Sequence, residues 1–490
     1  MTHAAVLIIS FFAVLLFICV FALVWMLITN KKSVQNKVLS SQDYLIIYAS
    51  QSGQTEHYAK QTASQLHQAG EAVACLNIQD LQLEHLEKAS KVLWMVSTYG
   101  EGDAPDTAQH FQQNFLKKSF HFDRLSFAVL AFGDRRYTHF CQFGMSLNEW
   151  LLKQNAHPLF DVVCVDQLSK TDLDLWLHHL AQVTHHQFEI EQVEKHWVKS
   201  ALRHRTLLNA GSSGQPLYHL GFERNELIWK SGDILEVWCA NSNLEIKQFL
   251  GQHAEFSDQS YLEKLKHKNL RKPPQRFENE SLADWLQRFE ELETRDYSIA
   301  SIPEQNQIEL VVRQQCDETG LGLGSGWLTS SAEIGEDVVI NIRNNTVFHL
   351  ENTASPMIFI GNGSGIAGLL SHLNQRQRNG FEQNWLIFGE REQQFDFLFK
   401  DQLTQWNSSG FLKHLDMVFS RDEQPKKYVQ DLILEKADQL KNWVDQGAYI
   451  YVCGSLNGMA QGLDDALRRI LGEVKFEKIR LEQRYRRDVY

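Results

Sequence analysis

Cysteine is scarce: seven residues in 490, none of them spaced as CxxC. That excludes a disulfide-stapled secreted protein and fits a reducing compartment. Positive charge is outnumbered too, with 48 Lys and Arg against 60 Asp and Glu and a net charge of −12. A nucleic-acid binder that works by neutralising phosphates would carry the opposite excess. There is no repeat of solenoid length and no low-complexity tract. With 43% hydrophobic and 22% charged residues, disorder over most of the chain is also excluded. Histidine is plentiful at 20. His178, His179, His185 and His186 fall near a helix end without a second ligand cluster, so they read as solvated imidazoles and no metal site is expected.

Charge is absent altogether from the first thirty residues. Residues 6–28 form a run of apolar side chains about 34 Å long as a helix, against a hydrocarbon core of about 30 Å. No basic start or small-residue cleavage site marks a signal peptide. The sequence therefore predicts a transmembrane helix over 5–29. Lys31, Lys32 and Lys37 follow at once, which puts the rest of the chain in the cytoplasm, at a membrane that the short anchor suggests is a bacterial inner one.

Beyond the anchor, short apolar runs alternate with helical stretches. Strands are expected at 44–49, 91–97, 126–132 and 159–164, with helices at about 56–69, 107–117 and 143–154, the pattern of a doubly wound parallel sheet. Such sheets bind ligands outside the carboxyl ends of their strands. The first strand ends in Ser50-Gln51-Ser52-Gly53-Gln54-Thr55, a hydroxyl-rich turn into a helix that can cradle an anion. It lacks the Gly-Lys-Ser/Thr of a nucleoside triphosphate loop, so a phosphate monoester suits it better. The second strand ends in Ser97-Thr98-Tyr99-Gly100 and the third in Gly133-Asp134, followed by Tyr137, Phe140 and Cys141. Two tyrosines on one sheet edge suit a flat heterocycle held by stacking. These three loops resemble the FMN module of the flavodoxin family, which implies that Tyr99 and Tyr137 flank the isoalloxazine and adds Asp166 to the cofactor-binding set.

From Trp197 the texture changes to alternating runs with turn residues, as in an antiparallel barrel. Residues 244–292 interrupt it. Leu282, Trp285, Leu286 and Phe289 stand at helical spacing there, and Pro273 and Pro274 bend the middle. Arg295, Tyr297 and Ser298, followed by the Gly322-Leu323-Gly324-Ser325 turn, resemble the two FAD-binding stretches of the ferredoxin–NADP reductase family. Parallel strands return at 357–361, 385–389, 415–419 and 449–453. The first leads into Gly363-Ser364-Gly365. Cations and hydroxyls after the third, Ser420, Arg421, Lys426, Tyr428 and Gln430, suit a ribose 2′-phosphate and so favour NADPH over NADH.

With the aromatic end at Tyr490, the chain from about 44 to 490 resembles the NADPH-dependent diflavin reductases. The resemblance places Ser298, Cys453 and Asp488 around the hydride path and makes Tyr490 a lid over the FAD ring, displaced by nicotinamide. Phe348-His349-Leu350 stands where the family has Phe-Arg-Leu, with Arg391 as the candidate to replace the lost cation. Ser455 and Gly462 stand where the family has acidic residues.

The expected fold is α/β multidomain. It comprises the transmembrane helix 5–29, a flavodoxin-like FMN domain 43–185, an antiparallel FAD-binding β-barrel 197–353 with the helical insert 244–292, and a parallel α/β NADPH-binding domain 354–490. The implied activity is a relay from NADPH to FAD, to FMN, then to a one-electron acceptor. That acceptor is expected to be a haemoprotein or iron centre near the membrane. A sulfite reductase flavoprotein subunit or a ferric-siderophore reduction component is the alternative. A sensor without turnover is disfavoured because Ser298, Cys453 and Asp488 occur together with the aromatic terminus.

Overall fold

The computed structural model describes residues 44–50, 53–99, 102–135, 137–189, 195–252, 260–317, 320–422 and 424–490. The chain divides into two units, Met1–Gln192 and Val193–Tyr490.

The first unit is a parallel sheet of β1 (Tyr44–Ala49), β2 (Val73–Asn77), β3 (Lys91–Ser97), β4 (Ser126–Gly133), β5 (His157–Pro158) and β6 (Val163–Asp166), in the order β2-β1-β3-β4-β5 with β6 also on β4. Its central strands read as unbroken apolar runs because both faces are buried. Trp94, Phe111 and Trp150 pack on one side; Tyr58, Leu130 and Trp176 pack on the other. The strand expected at 159–164 is instead two pieces. β5 pairs with Ser126 and Phe127, β6 with Leu130–Gly133. Between them Leu159 and Phe160 turn into the core, which is why they mimic a strand in sequence. Near the end of the helix Lys170–Thr184, His178 bonds Gln182 at 3.0 Å and His186 meets Glu71 at 3.3 Å. No described group of His, Cys, Asp and Glu is arranged to hold a metal.

The second unit begins with an antiparallel barrel. Its strands are β7 (Val198–Leu207), β8 (Leu217–Glu223), β9 (Ile234–Trp238), β10 (Thr294–Ser298), β11 (Gln307–Arg313) and β14 (Asp337–Arg343), ordered β10-β9-β14-β7-β8-β11. A bridge from Ile299 to Leu310 closes the circle. A two-strand hairpin, β12 (Cys316–Asp317) and β13 (Gly320–Leu321), precedes the glycine-rich turn. The insert between β9 and β10 carries the helices Asn243–Gly251, Ser260–Leu265 and Leu282–Gln287. It has a core of its own, in which Phe249, Leu265, Trp285 and Phe289 meet.

A second parallel sheet follows: β15 (Met357–Asn362), β16 (Asn384–Glu390), β17 (Leu412–Phe419), β18 (Tyr449–Gly454) and β19 (Tyr485–Val489), ordered β17-β16-β15-β18-β19. Barrel and sheet share buried polar contacts. Ser371 Oγ donates to the Ser301 carbonyl at 3.0 Å, and the fully buried His372 is hydrogen-bonded to Ser231. Burial, reinforced by the nearby Arg486 and His349, pushes the His372 pKa down to about 3. An unfolded imidazole binds its proton near pH 6.5, so between about 3 and 6.5 the unfolded chain holds the extra proton and stability falls as pH falls. In denaturant melts, His372→Gln should flatten that slope by up to about 1.4 kcal/mol per pH unit.

One part of the expected architecture is corrected. No described helix is long and apolar enough to cross a membrane; the segment expected to do so, 5–29, lies outside the described residues.

Candidate active site

Strands β1, β3 and β4 lie side by side, so parallel pairing delivers their three loops to one sheet edge. Ser50 Oγ accepts the Gly53 N–H at 2.9 Å. Gly53, at φ 82°, is in the left-handed region where it starts the helix Gln54–Gln68, and Thr55 is buried in the first turn. Gln51, Ser52 and Gly100 lie outside the described residues. Ser97 Oγ donates to the Ala49 carbonyl at 3.2 Å, tying the second loop to the first. Tyr99 and Asp103 exchange backbone hydrogen bonds of 2.8 and 2.9 Å, closing a tight turn. In the third loop the Tyr137 N–H donates to the Asp134 carbonyl at 3.1 Å and the Tyr137 ring is 41% exposed. Asp166 shapes the same loop. Its Oδ1 accepts the Arg135 N–H at 3.0 Å and its carboxylate pairs with the Arg135 guanidinium, which lies over the Phe140 ring. Asp134 accepts from Gln167 at 3.0 Å. These two acids hold the third loop in shape.

Hydroxyls and N–H groups at a helix start, with two accessible aromatic rings on adjoining loops, fit a flavin monophosphate. The second and third loops touch at Gly102. At φ 116° a Cβ there would lie 2.7 Å from His139 Cβ. Gly102→Ala should therefore release FMN, read as free flavin fluorescence after gel filtration, while FAD stays bound.

In the second unit, the Gly322–Ser325 turn packs on β10. A Cβ on Gly324 would lie 2.6 Å from Arg295 Cγ and 3.2 Å from the Tyr297 hydroxyl, so only glycine permits that approach. Ser325 Oγ accepts the Gln315 N–H at 3.0 Å, and Leu323 is half-buried. Arg295 is half-exposed and paired with Glu293 at 2.8 Å. Next along β10, Ser298 meets residues from the far end of the chain. Ser298 Oγ donates to Asp488 Oδ2 at 2.7 Å, and the Cys453 thiol reaches the same oxygen at 3.8 Å. Gly368 makes room: a Cβ there would stand 3.1 Å from Cys453 Sγ and 3.7 Å from Ser298 Cβ. Burial raises the Asp488 pKa, opposed by the Ser298 hydrogen bond and by Arg343. Burial and the neighbouring Asp488 keep Cys453 a neutral thiol.

The nucleotide side follows β15. Gly365 lies so close to β18 that a Cβ would sit 2.1 Å from the Cys453 carbonyl. Tyr490 closes the cluster. Its N–H donates to the Gly454 carbonyl at 3.0 Å, and its hydroxyl donates to Ser364 Oγ at 3.2 Å while the side chain is 56% exposed. Ser420 and Arg421 follow β17, with backbone N–H bonds to the carbonyls of Glu390 and Arg391. Arg421 and Lys426 are exposed, and so is Tyr428 at 47%. The Gln430 side chain packs against Gly462, 3.2 Å from where a Cβ would stand.

His349 turns away from the glycine turn, its Nε2 2.6 Å from Asp233 Oδ1 in the barrel. Arg391 lies over Gly214, with Nη1 2.8 Å from where a Cβ would stand. The cation beside the turn is Arg313. Its Nη2 sits 3.1 Å from a Cβ on Gly363 and pairs with the buried Glu390 at 3.0 Å. Nothing in the local pattern of β11 marks Arg313; only the long-range pairing reveals it.

Two of the three modules match known families. Residues 46–179 match flavodoxin and 359–465 match the oxidoreductase NAD-binding domain. The sulfite reductase (NADPH) flavoprotein alpha-component of Aliivibrio fischeri is 31% identical over 91% of this chain and 89% of its own length. The chain belongs to the diflavin reductase family. Proteins of the same description from Vibrio parahaemolyticus, 29% identical over 91% of this chain and 86% of theirs, and Mannheimia succiniciproducens, 27% over 94% and 93%, are similar along nearly the whole length. As a diflavin reductase the protein uses FMN, FAD and NADPH and is an NADPH-dependent oxidoreductase. The membrane location and membrane-associated acceptor expected from the first thirty residues are corrected with the fold. No described helix is long and apolar enough to span a bilayer, and the relatives are described as sulfite reductase flavoproteins.

Proposed function

We propose that this diflavin reductase is the electron-supplying component of a sulfite reductase, acting on a separate haemoprotein subunit. Similarity to sulfite reductase flavoproteins over about nine-tenths of both chains supports that acceptor. The observation that carries the redox reading is the meeting of Ser298, Cys453 and Asp488 across 190 residues of chain. When bound, the nicotinamide and flavins supply hydride transfer and its division into single electrons.

The chain's own residues position and tune. Ser50, Gln51, Ser52, Gly53, Gln54 and Thr55 hold the FMN phosphate at a helix start. Thr98, Tyr99, Gly100 and Tyr137 frame its ring, while Asp134, Asp166, Phe140 and Cys141 keep the third loop in place. Arg295, Tyr297 and the Gly322–Ser325 turn take FAD. Gly363, Ser364 and Gly365 take the NADPH pyrophosphate with Arg313 beside them; Ser420, Arg421, Lys426, Tyr428 and Gln430 surround the 2′-phosphate. Ser298 holds the Asp488 carboxylate by a hydrogen bond from its hydroxyl, and Asp488 offsets positive charge developing on the nicotinamide ring. Tyr490, fixed at its backbone but held at its ring by one hydrogen bond, is free to swing aside.

The test is reconstitution with the haemoprotein component of a related sulfite reductase. NADPH-dependent sulfide formation is expected from the mixture, and ferricyanide reduction from this chain alone. Ferricyanide reduction without sulfide would overturn the acceptor and leave the diflavin chemistry intact.

A further inference from the structure

Two of the cysteines meet beside the third FMN loop. Parallel pairing of β4 and β6 sets Ala131 opposite Cys164. The helix Gln142–Lys153 presses on that face, for a Cβ on Gly144 would lie 2.3 Å from Ala131 Cβ. From this helix Met145 brings its sulfur 3.9 Å from Cys164 Sγ. Cys141, buried and left-handed at φ 54° at the helix start, points its thiol at the Ala131 carbonyl, 3.2 Å away. The two cysteines thereby converge on Ala131, one buried and one half-buried. The neighbouring Cys141 and the charge of Arg135 lower the Cys164 pKa, against burial and Asp172. Cys75, half-buried on β2, has no such partner thiol among the described residues, and burial pushes its pKa up to about 11.

We propose that Cys141 and Cys164 are a peroxide-reactive dithiol whose closure to a disulfide unseats the loop carrying Tyr137. The Cys164 thiolate attacks one oxygen of hydrogen peroxide. The O–O bond breaks, and the departing hydroxide takes up a proton as water, leaving a sulfenic acid. The Cys141 sulfur then displaces that hydroxyl, and its proton leaves with it as a second water. Two thiols are oxidised and one peroxide is reduced to two waters. Flavins carry oxygen chemistry, which gives the pair a local source of peroxide. A disulfide needs an S–S distance of about 2.05 Å, so Cys141 must leave the Ala131 carbonyl. Gly133, at the other end of the loop, would place a Cβ only 2.9 Å from Cys141 Sγ, so the displacement reaches both ends of the Gly133–Cys141 loop.

The loop's effect on FMN rests on the assignment of that loop under Proposed function; the disulfide does not. The experiment treats the full chain with hydrogen peroxide, alkylates remaining thiols and maps peptides by mass. A loss of about 2 Da is expected, with residues 141 and 164 joined, Cys75 alkylated, reversal by dithiothreitol, and FMN released while FAD stays. Cys164→Ser, or Cys164→Ala should the first fold poorly, leaves Cys141 reduced and FMN bound. Oxidation of Cys75 at the same rate, or of Cys164 to a sulfinic acid with Cys141 still free, overturns the proposal. A disulfide with FMN fully retained overturns its coupling to the loop.

Discussion

Replacing Asp488 by Asn should slow flavin reduction by NADPH about 10²–10³-fold, the usual loss when one preorganised electrostatic group is removed from a reacting centre. The substitution keeps the shape, and Ser298 retains an acceptor, but the buried negative charge between Ser298 and Cys453 is gone. The NADPH KM should change little, because the role proposed for Asp488 lies at the ring end of the nucleotide. Reoxidation of dithionite-reduced enzyme by ferricyanide should be unaffected. A second signature separates this role from a structural one. Burial raises the Asp488 pKa, so the wild-type rate should fall on acidification at a pH above the ordinary carboxyl range, and the variant should lose that limb. Stopped-flow flavin bleaching across pH reads both; a rate within threefold of wild type would contradict the assignment.

Arg421→Ala should raise the NADPH KM about 10–100-fold while leaving that for NADH nearly unchanged. Each charge-assisted hydrogen bond to a phosphate is worth about 1.5–3 kcal/mol, and only NADPH carries the 2′-phosphate. Arg421 is exposed after β17, its backbone fixed by the bond from its N–H to the Arg391 carbonyl, so the cation is presented without a large ordering cost. Steady-state ferricyanide reduction with each nucleotide measures the ratio. Equal effects on both would remove the 2′-phosphate from this turn.

Much of this was legible because parallel strands buried on both faces announce themselves. YLIIYA at Tyr44–Ala49 and VLWMV within Lys91–Ser97 need no context. The strands that escaped notice sit at sheet edges and have mixed surroundings. β2 is half-buried over most of its length. β19 reads YRRDV, a charged segment that pays its way into a sheet by pairing. Arg487 meets Asp464 at 3.4 Å and Arg486 bonds the His349 carbonyl and Glu351. The loops of the site were legible by residue type, yet what each residue does was not. Asp166 also braces Arg135, a contact no local pattern announces. Arg313 and His372 are invisible locally because their partners Glu390 and Ser231 lie 77 and 141 residues away.

The most direct measurement counts flavins in the purified full chain after denaturation and chromatography, followed by anaerobic titration with NADPH. The account predicts one FMN and one FAD per chain, both bleached by NADPH. A single flavin per chain, or a second flavin that NADPH cannot reduce, would contradict it.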